Sequence, residues 1–233
     1  LDTIIQIKHL FPSIPIISVC HSLIRMEHIT NLGSQYTNNY NEQETTFQHS
    51  DYVVLISKAE QIYYNRFGYD LFKTKTQVIY NSYIPKYDHV ESKIDYTSND
   101  IGYIGRHVPR KRPEIPIKAV EYLKKELVKV YNMGVDYDKY DNAYWRKLAK
   151  KYVDQLVVIP FSTDKKVKEE YWKKIGINCI TGIYEPFGYT ICESIDRGVP
   201  VIVQNIDGPK EIVEEVKEHV CMYNVDTDDY KQD

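Results

Sequence analysis

Residues 177–203 read INCITGIYEPFGYTICESIDRGVPVIV, two apolar segments joined by a loop and a short polar-apolar stretch. The apolar segments 177–180 and 199–203 are typical of buried strands. A proline and a glycine interrupt regular structure between them, and the pattern at 189–197 predicts a helix that ends at a glycine. The stretch therefore predicts a strand, a loop, a helix and a second strand, which is the repeating unit of a parallel α/β sheet.

Two glutamates, Glu185 and Glu193, lie eight residues apart in this stretch, one on the loop and one inside the predicted helix. Taken alone, such a pair is most often exposed surface, because glutamate is rarely buried. The position after a strand favours a binding site instead, since a helix N-terminus offers N–H groups and a partial positive charge to a diphosphate. A carboxylate one turn further along can accept hydrogen bonds from a ribose diol. The pattern therefore predicts a sugar-nucleotide site.

The rest of the chain continues the alternation of strands and helices. The segment 207–211 predicts another loop that opens onto a helix, Ser57 is a predicted helix N-cap, and Ser162-Thr-Asp164 is predicted to cap the helix that follows it. A polar, irregular stretch at 84–100 predicts a linker. We therefore expect a partial amino-terminal domain at 1–90 and a carboxyl-terminal domain at 100–233, both Rossmann-like. The further predicted strands are 14–20, 52–56, 77–80, 101–104, 128–133 and 156–159.

Composition and charge narrow the class of protein. The chain has 233 residues, 42% of them hydrophobic, which is enough for a real core, and a net charge of −3. That charge gives no general attraction to nucleic acids or anionic membranes. No apolar stretch approaches the roughly eighteen residues of a membrane-spanning helix. The four cysteines form no C-x-x-C pair and are expected to be reduced core residues of a cytoplasmic protein, with peripheral membrane attachment left open: Cys20, Cys179, Cys192 and Cys221.

A second informative loop, residues 105–112, follows the predicted strand 101–104. It begins with Gly105, which allows a sharp turn, and Arg106 and Lys111 place cations near the strand end. A diphosphate is the natural partner of such a loop, although a nucleic-acid patch or a solvated loop is the alternative. The G-x-G-x-x-G and G-x-x-x-x-G-K-[ST] patterns are missing from it, so neither a dehydrogenase fingerprint nor a P-loop is predicted.

These motifs, in this order and spacing, resemble the carboxyl-terminal domain of family-4 retaining glycosyltransferases of the GT-B fold. The similarity covers about residues 101–223, and a weaker similarity covers 20–22, 51–57 and 78–81. It implies an α/β, GT-B-like fold with two Rossmann-like parallel-sheet domains facing a cleft. The chain begins at Leu1, inside a predicted helix, so we expect the first domain to be incomplete or completed by a second chain. The motifs that carry the resemblance are Gly105-Arg106 with Lys111, Glu185-Pro-Phe-Gly188 through Glu193, Gly198-Val-Pro-Val-Ile202, and Gly208-Pro-Lys-Glu211.

The resemblance implies a role for each matching residue. Arg106 and Lys111 would neutralise the diphosphate of the donor and of the leaving group without a metal ion, and Glu193 would hold the ribose hydroxyls. Glu185 would contact the donor sugar, and His21 would lie near the sugar or the acceptor, although a buried core histidine is the alternative. The implied catalytic residues are His21, Arg106, Lys111 and Glu185, and the implied donor-binding residues are Gly105, Arg106, Lys111, Glu185, Phe187, Gly188, Tyr189, Thr190 and Glu193.

The implied reaction is transfer of a sugar from a nucleoside-diphosphate sugar, of UDP or GDP type, with retention of configuration. No cofactor is expected, and the acceptor is left open among glycan, lipid, protein and DNA. One alternative is a non-catalytic or partner-dependent subunit that binds a nucleotide sugar. Another is a glycosidase that uses Glu185 and Glu193 as its acid and base pair.

The chain also departs from the family pattern. It has Thr181-Gly182 where the pattern expects Pro-Ser, Asp207-Gly208 where it expects Gly-Gly, and Asn81-Ser82 where it expects Asn-Gly. We expect Asp207 to bring a negative charge near the presumed phosphates.

Overall fold

The computed structural model describes residues 2–30, 39–85, 97–123, 128–135, 143–214, 216 and 220–224. The chain divides into two compact units. The first unit comprises Leu1–Ser82, Tyr184–Phe187 and Ile206–Glu211, and the second comprises Tyr83–Ile183, Gly188–Asn205 and Ile212–Asp233. Each unit has its own parallel sheet, which confirms the predicted α/β class. The domain limits at 90 and 100 stay a prediction, and 86–96 of the expected linker lie outside the described residues.

The first unit is built on a three-stranded parallel sheet in the order β1-β2-β3. Its strands are β1 (Ile17–Cys20), β2 (Tyr52–Leu55) and β3 (Lys75–Val78), and its helices are α1 (Asp2–Leu10), α2 (Ile24–Thr30), α3 (Asn39–His49) and α4 (Lys58–Arg66). Aromatic and aliphatic side chains of β2, α3, α4 and the turn that follows α4 form its core, among them Phe47, Val53, Leu55, Tyr64 and Tyr69.

Three details of the first unit differ from the sequence prediction, and one agrees with it. Helix α2 was not predicted, β1 begins at Ile17 and not at position 14, and β3 begins two residues earlier than expected, at Lys75. Ser57 is the N-cap of α4 as predicted, since its Oγ accepts a hydrogen bond from the Glu60 amide at 3.1 Å. Strand β1 is an edge strand whose Ile17 and Val19 side chains are 62% and 51% exposed.

The second unit is built on a six-stranded parallel sheet in the order β6-β5-β4-β7-β8-β9. Its strands are β4 (Ile101–Ile104), β5 (Val130–Val135), β6 (Leu156–Pro160), β7 (Ile177–Ile180), β8 (Val201–Gln204) and β9 (Val220–Tyr223). Its helices are α5 (Glu114–Ala119), α6 (Ala143–Lys151), α7 (Lys165–Trp172) and α8 (Tyr189–Asp196), together with α9 (Asp207–Val213), whose first residues belong to the first unit.

This strand order places the two motif loops side by side. The chain moves outward from β4 through β5 to β6, then returns to the other side of β4 with β7. Strands β4 and β7 are therefore adjacent and parallel, and the order of strands reverses between them. In open α/β sheets, ligands bind outside the carboxyl ends of the strands at such a switch point. The loops that follow β4 and β7 are the two that the sequence singled out.

In the second unit, one predicted helix cap is confirmed and one prediction about the cysteines is wrong. Asp164 caps α7 as predicted, because its side chain accepts a hydrogen bond from the Lys166 amide at 2.8 Å. Helix α5 ends at Ala119 and continues as a 3₁₀ turn to Tyr122. The expectation of core cysteines is wrong for Cys221, which is exposed on the edge strand β9. Among the described residues, no helix is both long enough and apolar enough to cross a membrane.

Candidate functional site

The loop after β4 carries its cations in unequal surroundings. Arg106 is exposed, whereas Arg110 is 3% exposed and lies in a 3₁₀ turn, Pro109–Lys111. Lys111 is half-buried. The guanidinium of Arg112 lies 3.8 Å from the carboxylate of Glu114. Of the four cations, Arg106 is thus the most exposed, and Lys111 and Arg112 are both half-buried.

Thr181, which directly follows β7, fixes the backbone of this loop. Its hydroxyl lies within hydrogen-bonding distance of two carbonyl oxygens, Lys111 at 3.0 Å and Arg112 at 2.8 Å. The Ile183 amide donates to the carbonyl of Arg110 at 2.8 Å. The side chain that departs from the expected Pro-Ser pattern therefore ties the two switch-point loops together.

His107 and Asn132 form a buried pair that the sequence prediction missed. The His107 ring is 6% exposed, and its Nε2 lies 2.6 Å from Oδ1 of Asn132 on β5. Burial lowers the pKa of His107, against the effect of the Asn132 hydrogen bond, so the ring is neutral at neutral pH. An amide inside the otherwise apolar strand β5 was the available signal, since a buried polar side chain requires a partner.

Glu193 lies on α8, half-buried, with its two carboxylate oxygens in different situations. Oε1 accepts a hydrogen bond from Nζ of Lys168 on α7 at 2.7 Å. Oε2 is buried and has no hydrogen-bond partner within the described part of the chain. Because buried polar atoms are nearly always paired, an unpaired carboxylate oxygen marks a place where a hydrogen-bond donor can bind.

Helix α8 begins directly after Gly188, whose φ of 113° lies in the left-handed region that favours glycine. Because the capping residue is a glycine, it has no side chain to accept a hydrogen bond from the amides of the first turn. Tyr189 is 49% exposed and Thr190 is half-buried. The helix N-terminus therefore faces the switch-point edge of the sheet with its positive end, as the sequence predicted for an anion site.

Glu185 and Phe187 belong to the first unit, where a close backbone contact holds them against 207–208. The Gly208 amide donates to the Glu185 carbonyl at 3.2 Å, and a Cβ on Gly208 would lie 2.6 Å from the Phe187 Cα. Asp207 has a φ of 47° and accepts a hydrogen bond from the Tyr63 hydroxyl at 2.6 Å. Burial is the main cause that raises the pKa of Asp207 to about 6. Its carboxylate thus bonds within the first unit.

His21 also belongs to the first unit, in the turn that follows β1. Its side chain is exposed, so the alternative of a buried core histidine is wrong. The predicted site residues are divided between the units, and their roles stay predictions. The second unit holds Gly105, Arg106, Lys111, Gly188, Tyr189, Thr190 and Glu193, and the first holds His21, Glu185 and Phe187.

The six-stranded parallel sheet, whose strand order reverses between β4 and β7, defines a Rossmann-like α/β class of protein. Solved structures share the fold of the chain. Sucrose-phosphate synthase from Thermosynechococcus elongatus aligns with a TM-score of 0.77 and 20% identity over 94% of this chain and 57% of that one. HepE of Anabaena in complex with UDP-glucose aligns with a TM-score of 0.70 and 16% identity over 96% of this chain and 62% of that one. WaaG, a glycosyltransferase involved in lipopolysaccharide biosynthesis, aligns with a TM-score of 0.66 and 12% identity over 94% of this chain and 66% of that one.

These likenesses confirm the GT-B fold. The chain belongs to the family Glycosyl transferases group 1, which matches residues 86–233. It spans 57% to 66% of the length of the three solved structures named above. A comparison with curated proteins gives no match.

Proposed function

We propose that this chain is a glycosyltransferase that moves a sugar from a nucleoside-diphosphate sugar to an acceptor, with retention of configuration and without a metal ion or other cofactor. Membership of Glycosyl transferases group 1 supports the sugar transfer. The UDP-glucose bound in HepE supports a donor of UDP type, and a GDP type is the alternative. Retention rests on the motif resemblance to family-4 enzymes.

The observation that carries the proposal is the buried, unpaired Oε2 of Glu193. Lys168 occupies the other oxygen, so the carboxylate is held in place while one acceptor stays open. A ribose hydroxyl supplies the missing donor, and a hydrogen bond to a charged group contributes about 1.5–3 kcal/mol. The position of α8 after β7, at the switch point, is where such a ligand binds in this class of sheet.

The loop 105–112 provides the charge that the reaction needs. When the bond between sugar and phosphate breaks, negative charge develops on the leaving diphosphate, and cations held in place beforehand stabilise it. Arg106 is exposed for this role, and Lys111 is anchored through its carbonyl by Thr181. In the proposal, Glu185 contacts the donor sugar, and His21 serves the sugar or the acceptor.

Binding of UDP, GDP and their sugars, measured by calorimetry and thermal shift, tests the site. We expect Glu193→Ala to weaken nucleoside-diphosphate binding at least tenfold, because the ribose loses its charged acceptor. Glu170→Ala is the matched control, since Glu170 is an exposed glutamate on α7 paired with Lys173. Equal affinities for wild type and Glu193→Ala would contradict the ribose assignment.

A separate measurement distinguishes transfer from binding alone. Release of UDP or GDP from the tightest-binding donor, in the presence of a chelator, is expected for a metal-independent transferase. Binding without any turnover would favour the non-catalytic subunit. The glycosidase alternative predicts hydrolysis of simple glycosides without a nucleotide, and it gives the cationic loop no role.

A further inference from the structure

Glu60 is a fully buried carboxylate in the first turn of α4, at 0% exposure. Both of its oxygens accept hydrogen bonds from other segments of the first unit. Oε1 accepts from the Tyr184 hydroxyl at 2.7 Å, and Oε2 accepts from the Leu23 amide at 3.1 Å. An ionised carboxylate can accept on both oxygens, whereas the protonated form must donate from one of them.

The two donors flank residues that the sequence predicts for the site. Leu23 lies two residues after His21, and Tyr184 directly precedes Glu185. The Tyr184 hydroxyl also accepts a hydrogen bond from the Leu23 amide at 2.9 Å. Glu60, Leu23 and Tyr184 therefore form a closed triangle of hydrogen bonds that joins the turn after β1 to the segment that carries Glu185.

The surroundings of Glu60 work against its negative charge. Burial is the largest cause that raises the pKa of Glu60 to about 7, and nearby acids add to it, while the hydrogen bonds from Tyr184 and Leu23 lower it. The titratable groups whose charges act on Glu60 or respond to it are Cys20, Glu27, Tyr63, Tyr184 and Asp207. All of them are acids, so the ionised form is held by hydrogen bonds from Tyr184 and Leu23.

We propose that Glu60 is a positioning residue that acts only in its ionised form, in which it fixes the backbone around His21 against the segment that carries Glu185. When Glu60 takes up a proton, one of its oxygens carries an O–H group, so the hydrogen bond from the Leu23 amide or from the Tyr184 hydroxyl is weakened or reversed, and the triangle loosens. The catalytic consequence rests on the proposed sugar transfer. We expect kcat to fall as the pH decreases through about 7, whereas donor affinity, which depends on Glu193 and Arg106, changes less.

The hydrogen-bond triangle can be observed without any sugar chemistry. Residues 22–23 are the only Ser-Leu pair in the chain, so carbonyl-¹³C serine with ¹⁵N leucine gives Leu23 as a single correlated NMR signal. We expect its amide shift to titrate with a midpoint near 7 in the wild type and to stay flat in Glu60→Gln. A flat wild-type signal, or the same titration in Glu60→Gln, would overturn the proposal.

Two further variants keep this test decisive. Asp207→Asn is the control for the other buried carboxylate of raised pKa, and the Leu23 titration should persist in it, at a lower midpoint because one repelling charge is gone. Should Glu60→Gln fail to fold, Tyr184→Phe takes its place. It removes a hydrogen bond that lowers the pKa of Glu60, so the Leu23 midpoint should rise. An unmoved midpoint contradicts the triangle.

The catalytic part is tested on donor turnover against pH. The wild type should lose kcat on the acid side with a midpoint near that of Leu23, and Glu60→Gln should lose that limb while binding UDP within about threefold of the wild type. An unchanged acid limb in Glu60→Gln overturns the positioning role. If nothing binds or turns over while Leu23 titrates as expected, the failure lies with the proposed sugar transfer and not with the triangle.

Discussion

Lys168 and Glu193 form an ion pair of 2.7 Å between helices α7 and α8, and this pair uses only one of the two carboxylate oxygens. Both side chains are about three-quarters buried. The pair thus restricts how the Glu193 carboxylate can rotate, and it leaves Oε2 as the open acceptor. Lys168 is not itself a predicted site residue, but it restrains the orientation of Glu193, which is one.

Removing the charge of Lys168 should therefore weaken the nucleotide site. We expect Lys168→Met, which keeps the length of the side chain, to lower affinity for UDP about three- to tenfold, or ~1 kcal/mol, because Glu193 loses its fixed orientation. Calorimetric titration measures this. Lys165→Met, at the exposed start of the same helix, is the control, and an equal loss in both variants would point to net charge alone.

The hydroxyl of Thr181 should be required for the shape of the cationic loop. Thr181→Val keeps the volume and leaves the partly buried carbonyls of Lys111 and Arg112 without this donor, so we expect a loss of about 1 kcal/mol in the free energy of unfolding. Affinity for UDP should fall more than affinity for uridine, since the proposal places the phosphates at this loop. Thr181→Ser keeps the hydroxyl and should behave like the wild type. Normal UDP binding by Thr181→Val would rule out this anchoring role.

The glycines at the two ends of α8 provide a matched pair. Gly188 and Gly198 have φ values of 113° and 68°, so alanine at either position costs about 1–2 kcal/mol of stability through backbone strain. Gly188 lies at the end of the helix to which the proposal assigns the ligand, and Gly198 lies at the opposite end. Urea unfolding should show both losses, but only Gly188→Ala should weaken UDP binding. A similar weakening in both would assign the effect to stability.

Glu60 should make the stability of the protein depend on pH in a defined window. Its pKa is raised from the ordinary value of 4.5 to about 7, so the folded state binds the proton more tightly than the unfolded state. The resulting stability is fully present below about 4.5 and is lost as the pH rises to about 7, on the order of 3 kcal/mol. The free energy of unfolding of Glu60→Gln should lack this decline.

The wild type and Glu60→Gln are compared by the slope of their free energy of unfolding against pH, because the substitution itself also changes that free energy by an amount that does not depend on pH. Asp207→Asn should instead lack the decline in a lower window, between about pH 3.8 and 6, since the pKa of Asp207 is raised from 3.8 to about 6. If Glu60→Gln declines between pH 4.5 and 7 as steeply as the wild type, another group is responsible.

The sequence by itself predicted most of the local structure and named the candidate site residues. The alternation of apolar segments with capped helices predicted the parallel sheets, since burial and helix periodicity are encoded within a few neighbouring residues. Gly188 marked the start of α8, and Glu185 and Glu193 were placed correctly on a loop and a helix. The boundaries of some helices and strands differed by a few residues. Helix α2 was missed because none of its residues is buried, so its sequence lacks the apolar stripe that marks a packed helix.

Only the tertiary structure decided which segments meet. The order of strands, with β4 beside β7, brings Thr181 to the carbonyl of Lys111, 70 positions earlier in the chain. Tyr184 reaches Glu60 across 124 positions, and Lys168 selects one oxygen of Glu193. Such contacts depend on the packing of whole elements against each other, and no local pattern of residues encodes them. The sequence therefore named candidate groups for a donor site, and the fold determined which of their atoms are paired with other residues.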